Sequence, residues 1–82
     1  MATTSHQVTP YAWTDVGTTP CFIQNNSTGI VRFVIDTAVP STLSAPGHSL
    51  GGTEPSADIS LPGQRVYARA ESSRPLNLIV SR

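Results

Sequence analysis

Two segments near the C-terminus alternate apolar and polar residues with a period of two. They are Arg65–Ala70, with the sequence RVYARA, and Leu76–Ser81, with the sequence LNLIVS. Such alternation is typical of β-strands that bury one face and expose the other. We therefore expect these segments to be half-buried strands of one antiparallel sheet.

Shorter apolar runs predict further strands along the rest of the chain. The strongest is 30–36, because its β-branched residues favour a strand and alternate between two faces. Segments rich in Pro, Gly, Ser, Thr and Asn separate the runs and predict turns. No window carries an apolar stripe with the period of a helix. The further candidate strands are 11–16, 21–24, 30–36, 58–61 and, as a short element, His48–Leu50.

The spacing of these strands predicts an all-β fold, a small antiparallel β-sandwich or barrel of six to seven short strands. We expect 21–24 and 30–36 to pair as a hairpin, with an Asx-type turn in the Asn-Asn-Ser-Thr run between them. A second hairpin should join 58–61 to 65–70, since Pro62 and Gly63 suit a type II turn. The long segment 37–57 is expected to cross between two sheets.

The first ten residues, MATTSHQVTP, are polar and rich in Thr and Ser. They contain too few apolar side chains to pack on their own domain. We therefore expect an extended N-terminal arm over 1–10, suited to reaching a neighbouring chain, and a single β-domain over 11–82.

A chain of 82 residues has room for only a thin core, because so small a domain leaves much of its surface exposed. Small domains usually gain support from disulfides, a metal or association with other chains. Cys21 is the single cysteine, and its separation from His6 and His48 matches no metal-ligand spacing. We expect no cofactor and no metal, a buried packing role for Cys21, and a homo-oligomer, with a trimer favoured.

The formal net charge is zero, and all five basic residues are arginines. A neutral chain lacks the counterion release that dominates binding to nucleic acid, so we expect no nucleic-acid partner. Arginine suits protein contact surfaces, because its guanidinium is weakly hydrated and donates forked hydrogen bonds. A chance bias in composition is the alternative. We also expect no membrane partner, since no apolar run is long enough to span a bilayer.

The outward residues of the predicted strands form a candidate contact patch. Apolar side chains would lie there among arginines, the mixture expected of a protein interface. Scattered exposed apolar residues of a monomer are the alternative. Trp13 either anchors the first strand in the core, which is the interpretation we favour, or is an exposed hot spot. The candidate interface residues are Arg65, Tyr67, Arg69, Ile79, Ile30, Arg32 and Trp13.

Residues 47–51, Gly-His-Ser-Leu-Gly, match the G-x-S-x-G pattern of the nucleophile elbow in lipases and esterases. That chemistry needs a large α/β sheet, and the catalytic acid and histidine follow the serine in the chain. No histidine follows Ser49 in the sequence. We interpret the motif as a flexible turn and expect no catalytic residues.

Three runs resemble those of the small β-rich structural proteins of tailed bacteriophages and prophages. They are WTDVG at 13–17, FIQNN at 22–26 and GQRVYAR at 63–69, and the resemblance extends over most of the chain from residue 11 onward. Proteins of this kind are virion components, namely capsid decoration (cement) proteins, head-fibre bases or tail modules.

The resemblance implies a non-enzymatic virion structural protein. We expect a capsid decoration protein that associates with itself and with a capsid or other virion protein, after synthesis in the host bacterial cytoplasm. Many copies that bind only the assembled shell would stabilise it by mass action. The alternative is a tail or fibre module that binds a host surface receptor or glycan through exposed Tyr11, Trp13 or Tyr67.

Overall fold

The described part of the chain forms eight β-strands and contains no helix, which confirms the all-β prediction. The structure, a computed structural model, describes residues 3–42, 47–51, 55–71 and 73–81. The strands are β1 (Thr3–Val8), β2 (Thr14–Thr18), β3 (Cys21–Asn25), β4 (Val31–Asp36), β5 (His48–Leu50), β6 (Ser56–Ile59), β7 (Arg65–Ala70) and β8 (Leu76–Ser81).

The strands pack as two four-stranded antiparallel sheets. Sheet A has the order β1-β8-β3-β6, and sheet B has the order β2-β7-β4-β5. Every connection except the one from β4 to β5 passes from one sheet to the other. The first strand pairs with the eighth, the second with the seventh, the third with the sixth and the fourth with the fifth, which is the jelly-roll arrangement of a β-sandwich. The prediction of a small antiparallel sandwich is confirmed.

The core lies between the two sheets and follows the two-residue period of each strand. In β3, for example, Cys21 and Ile23 are buried while Phe22 and Gln24 are exposed. Cys21 therefore packs in the core, as predicted. Each strand contributes to the core because successive side chains point to opposite faces of a sheet. The buried apolar cluster comprises Val8, Val16, Cys21, Ile23, Val31, Phe33, Leu50, Ile59, Val66, Ala68, Ala70, Leu76, Leu78 and Val80.

The predicted pairings between successive strands are wrong in three places. β3 pairs with β6 and β8, not with β4. β7 pairs with β2 and β4, not with β6 or β8. The cause is that alternation shows which side chains point inward but does not show which sheet a strand joins. The crossing predicted within 37–57 lies between β5 and β6, since β4 and β5 are neighbours in one sheet.

The turn predicted at Pro62 and Gly63 is present, although it links strands of different sheets. Gly63 has a φ of +76°, a value that a type II turn requires at its third residue and that glycine adopts without strain. Beside the turn, Thr19 N donates to Gln64 O at 2.8 Å, and Gln64 N donates to Thr19 Oγ1 at 3.0 Å. These bonds join the β2–β3 and β6–β7 connections at one end of the sandwich.

The segment expected to form a loose N-terminal arm belongs to the sandwich instead. β1 pairs with β8 over its whole length, from Thr3 opposite Ser81 to Val8 opposite Leu76. Val8 is fully buried and carries the end of the strand into the core. A polar segment can join a sheet in this way because strand pairing satisfies its backbone N–H and C=O groups. β1 is the strand beyond the six to seven that the sequence predicted.

The side chain of Asn25 joins the two sheets at the other end of the sandwich. Asn25 ends β3 in sheet A, and its buried Nδ2 donates to Leu50 O in sheet B and to Gly29 O, both at 2.8 Å. Its Oδ1 accepts from Ser27 N at 3.0 Å, which forms the predicted Asx-type turn. Its backbone N donates to Pro55 O at 2.7 Å. The side-chain amide therefore has a partner for each N–H and for its oxygen.

Gly51 permits the chain to pass close to this amide. A Cβ at position 51 would lie 2.7 Å from Gly29 O and 3.2 Å from Asn25 Nδ2, and the residue has a φ of +151°. Residues with a side chain rarely adopt this backbone conformation. The glycine is therefore part of the contact between the sheets.

We predict that Asn25→Ala destabilises the protein much more than the same change at the exposed neighbour Asn26. The substitution leaves the carbonyls of Gly29 and Leu50 without their side-chain donor. We expect the free energy of unfolding to fall by about 2–4 kcal/mol and the thermal midpoint by at least about 8 °C. Asn26→Ala should change the free energy by less than about 0.5 kcal/mol. Urea and thermal unfolding at one protein concentration measure both variants, and equal effects would contradict this role of Asn25.

Candidate interaction surfaces

Five of the seven predicted interface residues lie together on the outer face of sheet B. Arg65, Tyr67 and Arg69 alternate along β7 with residues that point into the core. Arg32 lies opposite Arg69 on the neighbouring strand β4. Trp13 precedes β2, and the Arg69 guanidinium carbon lies 5.5 Å from the centre of its ring. The structure therefore brings together the predicted arginine row and the tryptophan.

The arginines of this face have partners within the same chain. Arg32 Nε donates to Glu71 Oε1, and Arg65 Nε donates to Asp15 Oδ2, both at 2.7 Å. The hydrogen bond and the charge of Asp15 raise the pKa of Arg65 above its ordinary value. Arg69 stacks on Trp13 as described above, an arrangement that a guanidinium favours. A partner protein would have to compete with these contacts.

The described ends of the β4–β5 connection contact the same face. Trp13 Nε1 donates to Thr42 O at 2.8 Å. Near the far end of the connection, a Cβ at Gly47 would lie 2.9 Å from Arg32 Cγ, so the backbone there rests against the outward side chains of β4. We call residues 37–42 together with Gly47 the covering loop.

Tyr67 is 7% exposed, although it points away from the core. Its neighbours across the sheet are Asp15 on β2 and Val34 on β4, on the face that the covering loop contacts. The expectation that Tyr67 is exposed for docking is therefore wrong. Trp13 is half-buried and lies outside the core cluster, so the expectation that it anchors the core is also wrong. Strand alternation predicts which way a side chain points, but it does not predict how far neighbouring side chains cover it.

The other two predicted interface residues lie elsewhere. Ile79 belongs to β8, which lies in sheet A and not beside β7. It alternates with the buried residues of β8 and therefore lies on the outer face of sheet A. Ile30 is 37% exposed and lies in the connection that leads into β4. The seven residues therefore do not form one patch.

The outer face of sheet A consists mostly of uncharged polar side chains. Its cross-strand rows run from β1 through β8 and β3 to β6. Among the described residues of this face, Phe22 is the largest apolar side chain and is 41% exposed, and Asp58 is the one charged member. We call this surface the neutral face. Its residues are Thr3, Ser5, Gln7, Phe22, Gln24, Ser56, Asp58, Asn77, Ile79 and Ser81.

Sequence reasoning missed Phe22 as a surface residue, although a signal for it was present. The order Cys21-Phe22-Ile23-Gln24 alternates, so Phe22 shares a face with the polar Gln24 and not with the buried Ile23. The neutral face as a whole could not be assembled from the sequence, because that requires the order of the strands.

A groove of about 370 Å³ opens between the edge strands β5 and β6. Phe33, Leu50 and Ile59 of the core form its floor. The His48 ring lies on this floor, with its centre 5.2 Å from that of Phe33. Among the described residues that line the groove, Asp58 is the one with a carboxylate. The groove is at the small end of ligand pockets and suits an apolar side chain.

Ser49 of the G-x-S-x-G match lies in β5, opposite Arg32 of β4. The short strand predicted at His48–Leu50 is confirmed, whereas the interpretation of the motif as a flexible turn is wrong. A nucleophile elbow places its serine on a sharp turn between a strand and a helix, which differs from this position. The described residues contain no group of three His, Cys, Asp or Glu side chains placed to hold a metal ion.

Comparisons with known proteins found no matching family model, no matching curated protein and no matching solved structure. Among the described residues, no helix has the length and apolar character needed to cross a membrane.

We predict that Tyr67 contributes to stability as a core residue does, whereas Phe22 does not. Tyr67→Ala should lower the free energy of unfolding by about 2–4 kcal/mol, because a buried ring is removed. Phe22→Ala should lower it by less than about 1 kcal/mol, because the ring is partly exposed already. Urea unfolding of the two variants measures the difference. A stable Tyr67→Ala variant would show that the outer face of sheet B is open.

Proposed function

We propose that this chain is a non-enzymatic structural protein of a tailed-phage virion, a capsid decoration protein that oligomerises and stabilises the assembled shell. The neutral face is the observation that carries the proposal. Two further points support it: the resemblance of three sequence runs to phage structural proteins, and the jelly-roll sandwich, an architecture common in viral capsid domains. The second point is an analogy at the level of the fold.

The neutral face suits attachment to another protein. Charged residues are depleted at the centres of protein interfaces, and aromatic residues are enriched there. Phe22 provides an aromatic ring, and Ile79 is the second apolar side chain of the surface. The surrounding hydroxyl and amide groups can donate and accept hydrogen bonds without the cost of removing a charge from water. The outer face of sheet B is less suitable, because its arginines already have partners.

Three further apolar side chains are exposed in the connections between strands. Tyr11 is 75% exposed in the β1–β2 connection, Val39 is 57% exposed in the covering loop, and Leu61 is 55% exposed after β6. These side chains lie outside the neutral face, and Val39 belongs to the covering loop on the opposite side of the sandwich. They are therefore not part of the proposed attachment surface.

Stabilisation would follow from mass action. A protein that binds the assembled shell and not its separate subunits lowers the free energy of the assembled state by RT ln(1 + [L]/Kd) at each site. No chemical step is required. The sandwich serves as a rigid support that presents the neutral face.

We predict that Phe22→Ala weakens binding to the shell by at least about tenfold, because aromatic anchors carry much of the energy of an interface. The experiment adds purified protein to empty shells of the phage or prophage that encodes the chain and measures co-sedimentation. Tyr11→Ala is the control, since it removes an exposed aromatic ring that lies outside the neutral face. It should change binding by less than about threefold.

The wild-type protein should also raise the temperature at which the shells disassemble. Failure of the wild-type protein to bind any assembled shell, or equal binding by Phe22→Ala, would contradict the proposal. A genome that encodes the chain and carries no capsid genes would also contradict it.

The composition of the neutral face favours one second candidate, a tail or fibre module that binds a host surface glycan. Hydroxyl and amide side chains such as Ser5, Gln24 and Asn77 can hydrogen-bond sugar hydroxyls, and Phe22 offers a ring on which a sugar can stack. Binding to a glycan array that is lost in Phe22→Ala, with no binding to shells, would favour this candidate. Binding to shells and to no glycan would favour decoration.

A further inference from the structure

The free edges of the two sheets differ in their ability to pair with another strand. Within the described residues, the edge strands are β1 and β6 in sheet A and β2 and β5 in sheet B. An unpaired edge offers backbone N–H and C=O groups to any extended chain. Proteins usually protect such edges with short strands, charges, prolines or bulges.

Three of these edges carry such protection. β5 has three residues. β6 has four residues, contains Asp58 and follows Pro55 directly. In β2 the register shifts between Asp15 and Gly17, which marks a bulge or similar irregularity, and the strand carries the Asp15 carboxylate. Each feature hinders the addition of a further strand.

β1 lacks these features. It has six residues, with the sequence TTSHQV, and contains no Asp, Glu, Lys, Arg or Pro. Its pairing with β8 is regular along its whole length. Thr3, Thr4, Ser5 and Gln7 are exposed, so the described part of the chain leaves most of this strand uncovered.

We propose that a second copy of this chain pairs with β1, so that two β1 strands run antiparallel across a twofold axis. The pairing joins two copies of sheet A into one eight-stranded sheet. It specifies the surface and symmetry of the self-association included in the proposed function, but it does not depend on that function, because it needs no shell or glycan. A twofold dimer takes the place of the trimer favoured by the sequence analysis.

The sequence of β1 is compatible with itself in this arrangement. An axis through Ser5 places Ser5 opposite Ser5, Thr3 opposite Gln7, and Thr4 opposite His6. Each pair can form a hydrogen bond between side chains, and no two like carboxylates or ammonium groups meet. Thr4 and His6 already make such a bond within one chain, with Oγ1 and Nε2 at 3.1 Å. Pairing of strands that carry Asp15 or Asp58 would bring two copies of a carboxylate towards each other.

The pairing also extends the neutral face. Thr3, Ser5 and Gln7 belong to this face and lie along the edge where the two copies would meet. The two faces become continuous across the axis, so the dimer presents twice the area of one chain. One added strand pair buries less than an interface of standard size, so the dimer should dissociate on dilution.

The test compares Ser5→Lys with Ser56→Lys by sedimentation equilibrium over a range of protein concentrations. Ser5 and Ser56 lie in the same cross-strand row of sheet A, through Ile79 and Gln24, but at opposite edges. Both side chains are exposed on the outer face. In Ser5→Lys two ammonium groups face each other at the axis, and lysine is a residue that natural edges use to prevent pairing.

We expect the wild-type protein and Ser56→Lys to approach twice the chain mass of 8.7 kDa as concentration rises. For Ser5→Lys, we expect the dimer dissociation constant to rise by at least about fivefold. Circular dichroism confirms that each variant is folded. A monomeric wild-type protein, a trimer, or a loss of dimer in Ser56→Lys with none in Ser5→Lys would overturn the proposal.

Hydrogen exchange of the wild-type protein provides a test that does not depend on any variant. Backbone amides of β1 that point away from β8 should exchange more slowly at high protein concentration than at low concentration. The amides of β6 should show no such dependence. Exchange of β1 that is independent of concentration would overturn the proposal.

Discussion

The buried amide of Asn25 is the contact on which the arrangement of the two sheets depends most directly. Its Nδ2 donates to Leu50 O across the space between the sheets and to Gly29 O in the following connection. Asparagine is suited to this position because one short side chain supplies two donors and one acceptor. In a domain with a thin core, a fully bonded polar group of this kind helps to specify one arrangement, and it costs free energy if any bond is lost. Gly51 is needed beside it, since a Cβ there would collide with Gly29 O.

Alternation of apolar and polar residues identified the strands well but not their pairing. The bounds of β7 and β8 agree with the predicted segments, because each strand buries one clean row of side chains. The sheet that a strand joins depends on connections such as 26–30, which pass from one sheet to the other outside the core and leave no periodic signal. β1 was missed because its pairing with β8 relies on backbone hydrogen bonds more than on apolar side chains.

For the candidate surfaces too, the sequence predicted some features and not others. Arg65, Tyr67 and Arg69 do share the outer face of one strand, as alternation predicts. That Tyr67 is buried could not be predicted, because its burial depends on neighbours from other strands, such as Asp15 and Val34, which alternation does not identify. The sequence therefore locates side chains on a strand face, while the tertiary structure determines whether that face is open.

The two outer faces of the sandwich differ in charge and in cover. Sheet B carries arginines paired with Asp15 and Glu71 and lies against the covering loop. Sheet A presents the neutral face, in which Phe22 is partly exposed. The charged groups of the sheet B face are therefore paired within the chain, whereas the neutral face of sheet A is available for contact with another protein. Both the proposed attachment to a shell and the proposed pairing of β1 rest on this difference.

The most direct test of this account is the hydrogen-exchange rate of the Asn25 side-chain amide, measured by NMR. The Nδ2 protons should exchange about as slowly as the amides of the core strands, because the Asn25 side chain is buried and Nδ2 bonds to Leu50 O across the sheets and to Gly29 O in the following connection. The side-chain amides of the exposed Asn26 and Asn77 serve as references and should exchange rapidly. Equally rapid exchange at Asn25 would contradict the claim that this amide holds the two sheets together.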